Sequence, residues 1–448
     1  MRKTTRRLSI VIPAIAIAGM TSVSMAQSND SGPFNDSDSF NDSGPFSGDR
    51  GFVYTESNLL NNSVLVFNRA ANGTLSLAAT VPTGGAGGGV VSVGSQGALA
   101  LSRDRRWLFV ANEGDGSISV MERTPAGLQA VGRVSSGGTL PVSIAVSRNL
   151  VYVLNDGVHG SSPANITGFY FDDDRGALYP IPNSTRSLSA PSPTPPAIGP
   201  IAAEIRFDNT GSFLYVTEVG TSLIDTYSIN SDGTPSQDRI QNSFGNGPFA
   251  FAFDPRDNLL VTEVRESLGT VGQSAVTSYQ LNRGGILNRI SGSVPDSQTA
   301  PCWIEITPDG RFAYVVNTAS AVISGYQVGY NGELSLLGNG VTAQTARAPL
   351  DNAFTRNGRY MYDVTGGGSI IGYQVQADGS LISLNLNVTV PAGSRGLVAL
   401  AVPEPSSLLV LATGLLLAAG VLGTEASQSF SRGALRFVEQ PVNTQHCE

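Results

Sequence analysis

Chemistry in this chain has few residues to draw on, because its 448 residues hold only two histidines and two cysteines. His159 falls in a loop stretch and His446 near the end. Neither has a second histidine or cysteine at ligand spacing, so no metal set and no histidine-centred proton relay is implied. Cys302 sits in an apolar strand and reads as a small buried residue rather than a reactive thiol, and with Cys447 far off in sequence no disulfide framework follows. Carboxylate and guanidinium chemistry remains. Glu204 and Asp351 are the candidate catalytic pair, since two carboxyls can divide acid and base roles when burial raises the pKa of one. Arg206 lies two residues beyond Glu204, and Glu305 two beyond Trp303; in a strand such neighbours share a face. Trp303, Arg206 and Glu305 are therefore the expected substrate-binding set, with no cofactor and no metal.

Other polar clusters read differently. Asp172-Asp173-Asp174 precedes Arg175-Gly176 in a hairpin, where consecutive carboxylates are expected to point different ways. Gly84 to Gly89 lacks the lysine and helix signal of a phosphate cradle. Glu113, Asp115, Glu263, Arg265 and Glu266 read as solvated turn residues. A net charge of −8 argues against a nucleic-acid surface.

The elements that must position the candidates come from a repeat. Its clearest copy runs Trp303-Ile304-Glu305-Ile306-Thr307-Pro308-Asp309-Gly310-Arg311-Phe312-Ala313-Tyr314-Val315-Val316-Asn317, then Val322 to Val328, then an Asn331-Gly332 turn and Glu333 to Leu336. That is four short strands joined by tight turns. Copies anchored on Tyr54, Phe109, Tyr152, Tyr215, Leu260, Tyr314 and Tyr362 lie 43 to 63 residues apart, the period of a β-propeller blade. The first copy, starting at Gly51-Phe52-Val53-Tyr54, lacks a preceding inner strand, whereas an orphan apolar strand, Gly396 to Val402, follows the last. The expectation is an all-β, seven-bladed β-propeller over 51–402, its ring closed by the C-terminal strand completing the first blade. The Pro/Ser-rich stretch from Ser189 to Pro200 reads as an insertion between the third and fourth blades.

The ends read as an address. Residues 1–26 carry Arg2, Lys3, Arg6 and Arg7, an apolar run from Leu8 to Met20 and a small-x-small site at Ser24-Met25-Ala26, the layout of a secretory signal. Residues 27–50 contain three hexapeptides with one phenylalanine each and read as a disordered arm. Val402-Pro403-Glu404-Pro405-Ser406-Ser407 and the apolar run Leu408 to Leu422 (403–422) resemble the PEP-CTERM sorting signal, which implies an exosortase-type processing enzyme and transient membrane contact. In that family an arginine cluster follows the helix; here Gly423-Thr424-Glu425-Ala426 follows, and a polar tail occupies 423–448.

The cassettes resemble the lactonase family of seven-bladed propellers, the 6-phosphogluconolactonase and carboxymuconate-lactonising type. Gly247-Pro248-Phe249-Ala250-Phe251-Ala252-Phe253-Asp254-Pro255 and Phe213 to Gly220 carry the likeness most clearly. The resemblance implies an Arg-His pair at the start of an inner strand, facing the channel mouth. Phe249 and Ala250 fill those slots here. Read across the other blades, the His slot holds Ala98, Ser143, Glu204, Trp303 and Asp351. Without the Arg-His pair the chain is expected to be an exported, cell-surface or matrix-associated binding module for a polysaccharide, a surface protein or a small lactone. The alternative is an extracytoplasmic lactone hydrolase or lactonising enzyme that uses the channel-mouth carboxylates.

Overall fold

The computed structural model describes residues 50–89, 96–157, 163–189, 200–237, 239–264 and 271–401. The expected export signal, sorting segment and tail lie outside these residues. So do all but the last residue of the arm, and His159, Arg265, Glu266 and most of the 189–200 insertion.

The described residues form seven antiparallel sheets and no helix. Blade 6 shows the plan: inner strand Pro301–Ile306, second strand Phe312–Asn317, third strand Val322–Val328, and an outer strand in two pieces, Leu334–Leu336 and Ala343–Gln344. The second strand is buried at every residue, so its sequence is a continuous apolar run rather than an alternation. A tight turn separates it from the inner strand. Gly310 takes φ +69°, the Gly310 N–H reaches Thr307 O at 2.7 Å, and Asp309 accepts from the Thr307 hydroxyl at 2.6 Å and the Arg311 N–H at 3.1 Å.

The ring closes as the strand inventory requires. In blade 1 the inner strand is Arg395–Ala401, paired antiparallel with Gly51–Glu56 in the register Thr55↔Leu397 to Gly51↔Ala401. It starts one residue before Gly396. The inner strands of blades 2 to 5 and 7 are Leu99–Leu101, Pro141–Ser147, Ala202–Phe207, Pro248–Phe253 and Pro349–Phe354.

Anchor tyrosines tie blades 3, 4, 6 and 7 to the blade that follows. The hydroxyls of Tyr215, Tyr314 and Tyr362 donate to the carbonyls of Gly285, Gly379 and Gly73 at 3.2, 2.8 and 2.7 Å, each in the outer hairpin of the following blade. The last of these crosses the seam between blades 7 and 1. Gly73 has φ +83°, and a Cβ there would come within 2.8 Å of both Tyr360 and Leu384, so backbone conformation and space both demand glycine.

A second set of pins sits where the second strands end. Glu56, Asn112, Asn155, Glu218, Glu263, Asn317 and Thr365 occupy that position in the seven blades, all fully buried. Most bond back to the preceding blade: Asn112 Oδ1 accepts from Asn62 Nδ2 at 3.1 Å and from the Thr83 hydroxyl at 2.9 Å, and Asn317 Oδ1 accepts from the Ser274 hydroxyl at 2.8 Å. Glu263, held by the Thr277 and Ser293 hydroxyls of its own blade, and Glu113, which accepts from Arg395 of blade 1, are thus buried, not the solvated turn residues their loop position suggested.

Candidate functional site

The candidate residues are positioned by a repeated irregularity. Among the described residues the inner-to-second-strand ladder slips at the same place in six blades: between Pro141 and Ser143, Ala202 and Glu204, Pro248 and Phe251, Pro301 and Trp303, Pro349 and Asn352, and opposite Thr55/Glu56 in blade 1. A β-bulge re-aims the side chain beside it. Here it turns the side chain toward the next blade's inner strand. Ser143 Oγ accepts from Ile205 N–H at 3.2 Å, Glu204 Oε2 from Phe251 N–H at 2.6 Å, and Asp351 Oδ2 from Leu397 N–H at 3.2 Å.

Two of the sequence candidates, Glu204 and Glu305, meet at the guanidinium of a third, Arg206. Arg206 donates to Glu204 Oε1 from Nε at 2.9 Å and from Nη2 at 2.8 Å, and the same Nη2 reaches Glu305 Oε1 at 3.1 Å. Asp351 feels the charges of Glu305, Glu204 and Arg206. Trp303, by contrast, is only 3% exposed and packs edge-on against Phe249, with ring centroids 5.8 Å apart; its indole belongs to the wall behind the site.

The cluster has two layers. The side chains of Arg206 and Glu305 are 31% and 25% exposed, whereas Glu204 is 1% and Asp351 3% exposed. Burial pushes Glu204 up to about 7; Arg206 and the Phe251 N–H pull the other way, and Glu305 adds repulsion. Burial likewise pushes Asp351 well above the usual carboxylate range, reinforced by Glu305 and Glu204 against the pull of the Leu397 N–H and Arg206. Burial works against the charge on Arg206, but Glu204 and Glu305 outweigh it and hold the guanidinium firmly protonated. Among the described residues Nη1 of Arg206 makes no hydrogen bond, so it is available to a ligand.

Three residues of this neighbourhood escaped the sequence reading. Asp363, in the second strand of blade 7, pairs with Asn352 at a level where blades 2 to 6 hold Val110, Val153, Val216, Val261 and Val315. Burial and then Asp351 raise its pKa well above normal. The departure from valine was its one visible signal. Gln96, just ahead of blade 2, bonds the inner strand of blade 6: Nε2 donates to Ile304 O at 2.9 Å and to Glu305 Oε1 at 2.7 Å, and Oε1 accepts from Ile304 N–H at 3.1 Å. Arg395 opens the inner strand of blade 1 opposite Glu56, the position where Pro248 stands opposite Glu263 in blade 5. It faces inward between blades, donating to Glu56 at 2.8 Å and to Glu113.

The remaining candidates lie elsewhere. Cys302 is buried and its thiol is pushed up to about 12 by burial. Asp115 pairs with Arg133 at 2.5 Å on the surface. The carboxylates of Asp172, Asp173 and Asp174 come within 4.8 Å of one another, because the hairpin curls them together instead of fanning them out. Asp172 is already bound to Arg175 at 2.5 Å.

The sequence matches the family model described as lactonase, 7-bladed β-propeller, over residues 43–195 and 188–283. No curated protein sequence matches it significantly. The fold is similar to that of a candidate 6-phosphogluconolactonase from Bacteroides fragilis (18% identity, TM-score 0.63, covering 80% of this chain and 99% of that one). It is similar too to a periplasmic gluconolactonase from Pseudomonas aeruginosa (19%, 0.62, 79% and 100%) and to a protein from Lactobacillus plantarum (18%, 0.64, 78% and 99%). At such identities the likeness carries the fold alone.

Proposed function

Given that the chain belongs to the lactonase family of seven-bladed β-propellers, we propose that it opens lactone rings by hydrolysis at the Arg206–Glu305 face of its channel. The observation that carries this reading is the layering of the cluster: a solvent-facing guanidinium and carboxylate, 3.1 Å apart, backed by two buried carboxyls. Glu305 accepts a proton from water as the water oxygen bonds to the lactone carbonyl carbon. The oxyanion that forms lies against the free Nη1 edge of Arg206, a fixed positive charge of the kind that stabilises such intermediates. The carbonyl re-forms as the ring C–O bond breaks, and the ring oxygen leaves with a proton returned from Glu305. The products are a hydroxy carboxylate and one proton released to solvent.

The buried layer sets how much charge Arg206 presents. Below pH about 7 Glu204 is neutral and Glu305 alone balances the guanidinium; above it Glu204 ionises and neutralises Arg206 further. This assignment exchanges the roles expected from sequence, where Glu204 and Asp351 were the catalytic pair.

The proposal places the protein outside the cytoplasm, on the strength of the secretory signal at 1–26 and the PEP-CTERM-like segment at 403–422, which would engage an exosortase-type enzyme before release to the cell surface or matrix. The related Pseudomonas aeruginosa protein is described as periplasmic. A non-catalytic binding module for a polysaccharide or surface protein is the second reading, favoured by Phe249 and Ala250, both buried and apolar, in the slots where family enzymes carry arginine and histidine. Proton release from a panel of five- and six-membered aldonolactones by the purified protein separates the two. Hydrolysis that is lost in Glu305→Gln supports the enzyme; a folded protein that opens none of the panel is a binding module.

A further inference from the structure

Three of the bulge side chains share one task in the ring. Each polar slot residue caps the N–H of the residue just inside the next blade: Ser143 caps Ile205, Glu204 caps Phe251, and Asp351 caps Leu397. In blade 2 a backbone oxygen does the same work, Gly97 O accepting from Ile144 N–H at 2.9 Å. Blade 5 has Ala250 in its slot, and a methyl group cannot accept a hydrogen bond. The N–H it leaves, that of Ile304, is buried, and an uncapped buried donor costs about 1–3 kcal/mol. Its acceptor is Gln96, which comes from the start of blade 2 and crosses the channel to blade 6. The residue is 1% exposed. Its amide acts as one extra ladder rung, taking the N–H and giving an N–H to Ile304 O, and its remaining hydrogen-bonding capacity goes to Glu305 Oε1.

From this we infer that Gln96 is a positioning residue of the channel site: it takes over the capping duty lost at Ala250 and, by the same amide, fixes the Glu305 carboxylate against Arg206. The assignment rests on the hydrolytic reading for its catalytic meaning, though not for its geometry. Arg206 is shared between Glu204 and Glu305 through one oxygen of each. Gln96 holds the Glu305 oxygen that Arg206 binds, since Nε2 and Nη2 both point at Oε1. Without that hold, Glu305, a quarter exposed, is free to turn toward solvent, and Arg206 falls to Glu204 alone.

The charged groups that face Glu204 are Arg206 and Glu305; Asp351 interacts with all three, and Asp363 with Asp351. Two substitutions at Gln96 push this set in opposite directions. Gln96→Ala releases Glu305, which removes a like charge from Glu204 and strengthens its pairing with Arg206, so Glu204 ionises more easily. Gln96→Glu keeps the acceptor for Ile304 N–H and gives up the N–H that Ile304 O accepts, and it brings a negative charge beside Glu305 that competes for Arg206, so Glu204 ionises less easily. Loss of structure alone would move both variants the same way.

The experiment is a carboxyl carbon-13 NMR titration of the full-length protein labelled at glutamate, with the Glu204 resonance assigned by its loss in Glu204→Gln. The expected result is an inflection near 7 in the wild type, moved down by about one pH unit in Gln96→Ala and up by a similar amount in Gln96→Glu. Shifts in the same direction, or no shift in either variant, overturn the assignment. This readout needs no turnover, so it stands apart from whether lactones are opened. Where turnover is measurable, Gln96→Ala lowers kcat about tenfold or more with KM nearly unchanged, the signature of a displaced reacting group rather than lost binding; a loss confined to KM counts against it.

Discussion

Replacing Arg395 with methionine should destabilise the ring in a pH-dependent way. The guanidinium lies 3% exposed between Glu56, with a side chain at 0%, and Glu113, at 1%. It joins the strand that closes blade 1 to the ends of the second strands of blades 1 and 2. Even with Arg395 present, burial pushes Glu56 up to about 7, the arginine and Asn62 only partly restoring its charge. Methionine fills most of the stem volume but leaves two sealed carboxyls without their cation, and removing one partner of a buried pair costs about 3–5 kcal/mol. For a propeller of about 350 residues, with an unfolding entropy of about 2.1 cal/mol/K per residue, that corresponds to a fall in Tm of about 4–7 °C. The full loss belongs to pH 8. At pH 5 both carboxyls can stay protonated at little cost, so only the hydrogen bonds are lost and the fall should shrink to about 1–3 °C. Thermal unfolding followed by circular dichroism at the two pH values reads the difference. Equal losses at pH 5 and pH 8, or none at pH 8, would refute the view that Arg395 compensates buried charge.

The wild-type protein carries the same sign of pH dependence. Glu56 and Glu204 both have folded-state values near 7 against an ordinary 4.5, so the folded state holds protons the unfolded chain has released. Their stabilising contribution is complete below about pH 4.5 and is lost as pH rises through 7, about 3 kcal/mol for each carboxyl. Denaturant midpoints measured from pH 5 to pH 8 should fall accordingly; a midpoint that rises over that range contradicts the burial of these groups. At the blade 7–1 seam, Tyr362→Phe removes the 2.7 Å bond to Gly73 O and should cost about 1 kcal/mol, read from the same denaturant curves. Blade 5 already tolerates Leu260 at this position, so an effect well above 2 kcal/mol would mean the hydroxyl does more than pin the turn.

The fold was legible because its cause is local and repeated. A strand sealed between two neighbouring blades must be apolar along its whole length, as Phe312 to Val316 are, and the turn before it takes a left-handed residue, Gly211, Gly310 and Gly358 in blades 4, 6 and 7. Those two demands recur often enough to number the blades and to show which one lacks its inner strand. The site was legible only in part. Glu204, Arg206, Glu305 and Asp351 were found from their slots, but their depth was not: alternation places Glu204 and Arg206 on one side of a strand, whereas the bulge tucks Glu204 against Phe251 and leaves Arg206 at the surface. Gln96 left no trace in sequence, because its partners are 208 and 209 residues away and nothing nearby marks it. Arg395 was missed for a narrower reason. The orphan strand was recognised by its apolar run, and the arginine that belongs to its first position stands one residue ahead of that run.

The layered assignment at the channel is tested most directly by the pH profile of lactone opening for three proteins, the wild type, Glu305→Gln and Glu204→Gln, with spontaneous hydrolysis subtracted. The wild type should lose activity above pH about 7 as Glu204 ionises beside Arg206. Glu305→Gln should be slower by about 10² to 10⁴ at every pH, the usual cost of losing a general base. Glu204→Gln should remain active and lose the alkaline limb. Full activity in Glu305→Gln, or abolished activity in Glu204→Gln with its limb unreadable, would contradict the account and return the catalytic role to the buried carboxyl.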